Sequence, residues 1–130
     1  METQLALDFA QPDIFDPLLA LTADGLDLLE FGVIGIDAET VVRDYNALES
    51  RMAGLSRERV VGHPLFTVVA PCMNNFMVAQ RFEEAAATGQ ALDLTLDYVL
   101  TLRMRPIKVQ LRLLASPKSA RRFVLVSRKP

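Results

Sequence analysis

Tryptophan is absent from these 130 residues, and cysteine and histidine occur once each. A single cysteine, Cys72, excludes an internal disulfide and any cysteine-built zinc cage. A single histidine, His63, leaves too few ligands for ordinary metal chemistry, so no metal site is expected. No apolar run is long enough to span a bilayer. Strong charge of either sign is missing too: 14 basic residues stand against 16 acidic ones, a net charge of -2. That balance offers no electrostatic attraction for nucleic acid or an anionic membrane. The opening stretch METQLALDFAQPDIFD carries acids where a secretory signal needs a basic start, so a cytoplasmic location is expected. What remains is a globular composition, 51% hydrophobic and 23% charged, of a size that suits one domain around one core.

Apolar spacing in DIFDPLLALTADGLDLL, punctuated by Pro17 and Gly25, predicts one or two short helices, a cap over residues 1–27 preceding a domain over 28–130. FGVIGID is a continuous apolar run, the pattern of a strand covered on both faces; DAET turns the chain and VVRDYN returns as its antiparallel partner. Asn46 and Gly54 bracket one short helix, and Ser56 and Gly62 another. A longer helix follows in NNFMVAQRFEEAAATG, with Asn74 or Asn75 able to cap it and Gly89 closing it. Strict alternation in ALDLTLDYVLTLRM and IKVQLRLLAS, then RRFVLVSRK after the SPKSA turn, predicts three strands in meander. The expected fold is mixed α and β: a five-stranded antiparallel sheet with helices on one face and an N-terminal helical cap. Arg112, Arg121 and Arg122, with Arg103 and Arg105, read as solvating residues on outer strand faces and turns, or as a partner patch.

Cys72 lies in FTVVAPCMNN, directly after a proline where a loop leads into a helix. In that position it can be a small buried hydrophobe, a reactive thiol or an attachment point. A nucleophilic enzyme would need a base beside it, and His63, in a Gly-His-Pro turn, is the sole histidine. The expectation is therefore no catalysis.

The element order is that of a PAS domain, and the residues are more specific than the order. FGVIGID, VVRDYNALE and VVGHPLFTVVAPC resemble the photoactive yellow protein family from about Phe31 to Gly89, and the resemblance resumes through MRPIKV after a one-residue insertion. It implies that Cys72 carries p-coumaric acid (4-hydroxycinnamic acid) as a thioester. It also implies that Tyr45 and a protonated Glu49 hold the phenolate end, and that Phe66 lines the pocket. A buried phenolate needs short donors in place of water, which a phenol and a neutral carboxylic acid supply. Isomerisation by blue light would then move the Glu49 proton to the phenolate, leave a buried carboxylate uncompensated and loosen the N-terminal helices. The shell around this set departs from the family: Ala53 stands where the family has threonine, Leu55 where it has arginine, Leu65 where it has one of two phenylalanines, and Leu102 where it has tyrosine. Two functions stay open, a blue-light photoreceptor and a chromophore-free PAS adaptor. Both imply a signalling partner such as a histidine kinase, or a second copy forming a homodimer, on an exposed sheet face or the N-terminal segment.

Overall fold

The computed structural model describes residues 7–101 and 106–128. Two short helices, α1 (Phe15–Ala20) and α2 (Ala23–Leu26), precede strands β1 (Gly32–Ile36) and β2 (Val42–Tyr45). Then come α3 (Ala47–Ala53), α4 (Arg57–Val60), a π-helical turn (Leu65–Val69), a 3-10 turn (Pro71–Met73) and α5 (Ala79–Thr88). Strands β3 (Leu92–Leu100), β4 (Ile107–Ser116) and β5 (Ser119–Ser127) close the chain. The strand order is β2-β1-β5-β4-β3, with every pairing antiparallel. The five-stranded antiparallel sheet and its helices are as the alternation predicts.

Side-chain alternation divides the sheet into two apolar faces. Ile34 and Ile36 of β1, Leu111 and Leu113 of β4, and Val124 and Val126 of β5 face a core shared with Leu65, Phe66 and Phe82. The opposite face carries Val33, Leu114, Phe123 and Leu125, which pack on Ile14, Leu18 and Leu26 of the N-terminal segment. All five residues of β1 are therefore buried, which explains its uninterrupted apolar run.

The cap is held by polar contacts as well as by apolar area. Arg112 of β4 is only 5% exposed. Its Nε and Nη2 donate to both carboxylate oxygens of Asp93 at 2.8 Å. Its Nη1 donates to the carbonyls of Phe9 and Gln11 at 2.7 and 2.8 Å. The expectation of a solvated arginine fails here, because the cap covers that part of the sheet and supplies the acceptors a buried guanidinium requires. Among the described residues, no helix is long and apolar enough to cross a membrane.

Candidate functional site

The site is organised from the first turn of α3. Asn46 caps it: its side-chain oxygen accepts from the N–H of Glu49 at 3.1 Å. That helical phase turns Glu49 toward the sheet, where it is 1% exposed. Gly32 makes the space, since a Cβ there would collide with Glu49 Oε1. Arg128, directly after β5, closes on the carboxylate from the sheet side. Its Nη1 donates to Oε1 at 2.7 Å and its Nη2 to Oε2 at 3.1 Å.

Two opposed forces act on Glu49. Burial pushes its carboxyl group above the usual range, and the hydrogen bonds and charge of Arg128 offset only part of that rise. Tyr45, buried at the end of β2, is pushed up by burial and by the Glu49 charge, and pulled down by Arg128. Its phenol is held protonated at neutral pH. The resemblance implies a neutral Glu49 free to donate; here both of its carboxyl oxygens meet Arg128 in a two-pronged pair. Sequence reasoning missed Arg128. The available signal was its phase, because Val124, Val126 and Arg128 alternate along one apolar face and a cation continues the inward row.

Cys72 sits in the 3-10 turn after the π-helical turn, a segment that reads only as a loop from sequence. Its thiol is free and the residue is half-buried, packed on the core cluster that contains Tyr45 and Phe66. The turn is pinned. The Tyr98 hydroxyl donates to the Cys72 carbonyl at 2.6 Å. The Asn75 amide donates to Tyr98 Oη at 2.6 Å, and Asn75 Oδ1 accepts from the N–H groups of Met77 and Val78. Asn75 thus caps the chain entering α5, although the helix itself starts at Ala79. Tyr98, one of the alternating residues of ALDLTLDYVLTLRM, is the fastening of the cysteine turn. An open cleft of about 900 Å³ is walled by Asn75, Met77, Tyr98, Val109 and Arg128, with outer-strand residues at its rim.

Tyr45, Phe66 and Cys72 therefore share one packed cluster, and Glu49 is buried but turned to Arg128. Ala53 and Leu65 are buried, and Leu55 is half-buried against the same cluster. Leu102 lies outside the described residues. His63 is exposed, and among the described residues no group of three or more histidine, cysteine or acidic side chains could hold a metal.

The same helix end is tied to the cap. The Asn46 amide donates to the carbonyls of Leu26 and Phe31 at 2.9 and 3.0 Å, and its oxygen accepts from the Val33 N–H at 3.0 Å. Asp27 Oδ1 accepts from the Ala47 N–H at 2.8 Å and from Arg57 at 3.0 Å. A displacement of the first turn of α3 cannot leave the end of α2 untouched.

Comparison with known proteins follows the same lines. The PAS fold family matches residues 26–129. The photoactive yellow protein of Halochromatium salexigens is 34% identical over 105 residues, spanning 81% of this chain and 83% of its own. That of Rhodothalassium salexigens is 32% identical over 107 residues, spanning 82% and 85%. In three dimensions the chain is similar to the photoactive yellow protein domain of a sensor histidine kinase from Rhodospirillum centenum. The TM-score is 0.78 at 33% identity, over 85% of this chain and 96% of that one.

Proposed function

The chain belongs to the photoactive yellow protein family of PAS-fold proteins, and from that premise we propose that it is a blue-light sensor carrying p-coumaric acid as a thioester on Cys72. The observation that carries the proposal is the placement of a free, half-buried thiol on a pinned turn, packed on the same core cluster as Tyr45 and Phe66. The residues fit such a group. Tyr45 and Glu49 would hold its phenolic oxygen, Phe66 would flank its ring, and Arg128 supplies the positive charge that a buried anion needs. When bound, the group supplies visible absorbance and a double bond that light can isomerise.

The protein's own part is to couple that site to its surface. Glu49 and Asn46 belong to one helical turn, and Asn46 holds the end of α2. A change of charge at Glu49 is therefore passed within one residue contact to the end of α2, in the helical segment that packs on one face of the sheet. The protein acts as a sensor and not as a catalyst, in the cytoplasm, on a signalling partner such as a histidine kinase. The test is incubation with activated p-coumaric acid. The expected result is a yellow protein with one added coumaroyl mass on the peptide containing Cys72, bleached by blue light with faster exchange of cap amides. C72A should stay colourless. A wild type that stays colourless and unmodified would overturn the reading in favour of an adaptor without a chromophore.

A further inference from the structure

The buried group contains one cation and one carboxylate, Arg128 and Glu49, and its charges cancel. Among the described residues, the titratable groups that face Glu49 are Tyr45 from β2 and Arg128 beyond β5. Glu49 is 1% exposed, and Gly32 leaves the space that lets its oxygens reach the guanidinium. Arg128 Nε is itself buried and without a hydrogen-bond partner, so the guanidinium keeps a buried donor unspent. A second anion in this interior cannot be added without a proton, because two negative charges would share one cation out of contact with water.

We propose that Arg128 is the positioning residue that decides which group at the inner end of the site carries the proton. This rests on the reading of the site as one that takes a phenolic ligand. With no ligand, Arg128 holds Glu49 as a carboxylate. When a phenol enters beside Tyr45, its O–H proton moves to Glu49. The phenolate and Arg128 then balance each other, and Glu49 becomes a neutral donor. One O–H bond breaks on the phenol, one forms on the carboxyl, and the net charge is unchanged. Arg128 would thus convert Glu49 from ion-pair partner to proton carrier, a role that no residue of the expected set fills. Leu55, standing where the family has arginine, offers no cation.

The experiment reads the ligand-free protein first. Infrared difference spectra at neutral pH between the wild type and E49Q should show no carbonyl stretch of a protonated carboxylic acid. R128Q should show one, R128Q/E49Q should lose it, and R128K should suppress it. A Glu49 carbonyl band already present in the wild type, or its absence from R128Q, overturns the proposal. If R128Q does not fold, the wild type against E49Q and R128K still decides. In the coumaroylated protein, the pH midpoint for loss of the yellow phenolate should rise in R128Q by about one to three units, the range a close opposite charge commands. An unchanged midpoint also overturns it. Failure of the wild type to take up the chromophore would sink the sensor reading instead, while the ligand-free spectra still judge Arg128.

Discussion

Gly32 is the position where a single methyl group tests the whole arrangement. A Cβ added there would overlap Glu49 Oε1 and crowd its carboxyl carbon and Cβ. β1 is paired on both sides and cannot step back, so Glu49 must leave Arg128 or α3 must lift. Two effects of opposite sign compete. Alanine reduces the entropy of the unfolded chain and adds about 0.4–1 kcal/mol of stability where the backbone tolerates it. Separating a buried ion pair so that its charges are uncompensated costs about 3–5 kcal/mol. The net expectation for G32A is a loss of about 2–4 kcal/mol, a fall of roughly 1–2 M in the urea midpoint for a domain of this size. Equilibrium urea unfolding followed by circular dichroism measures it. The double variant G32A/E49A removes the collision, so its methyl should cost far less than it does when Glu49 is present. A G32A midpoint within a few tenths molar of the wild type, or equal methyl costs with and without Glu49, would refute the packing argument.

Three further outcomes follow from the same structure. R112A should cost about 2–4 kcal/mol, since it removes charged hydrogen bonds worth about 1.5–3 kcal/mol each while the freed carbonyls partly regain water; amide exchange should rise over residues 7–29 more than over β5. N46A leaves the Leu26 and Phe31 carbonyls and the Val33 N–H without their partner in a residue that is 2% exposed, so a loss of about 3 kcal/mol or more is expected in thermal or urea unfolding, with α2 loosened in hydrogen exchange. Burial pushes the Asp37 carboxyl up, but the N–H groups of Val41 and Glu39 and the Arg43 guanidinium outweigh it and hold it below its ordinary value. A depressed carboxyl adds stability that is present above the unfolded value of 3.8 and lost as pH falls through the folded one. The advantage of the wild type over D37N should therefore shrink on acidification below about pH 4, and a constant difference would contradict the hydrogen bonds that Asp37 accepts.

Strand order along the chain, the turns and the Asn46 and Gly54 brackets of α3 were legible in the sequence. Each depends on residues close in sequence: alternation with period two, a side chain reaching its own helix end, a glycine adopting a left-handed angle. Cys72, Tyr45 and Glu49 were legible as a set only through family resemblance, since nothing local in the chain relates them. The tertiary structure alone decided where charge sits. Arg112 lies within the alternating β4 and Arg128 directly after the alternating β5, and the two look alike in sequence. The cap buries the first against Asp93 and two carbonyls, while the end of β5 carries the second under α3 to Glu49, 79 residues away in the chain. Burial and pairing of a charge are properties of what folds over it, and those partners come from segments whose distance along the chain no periodicity records.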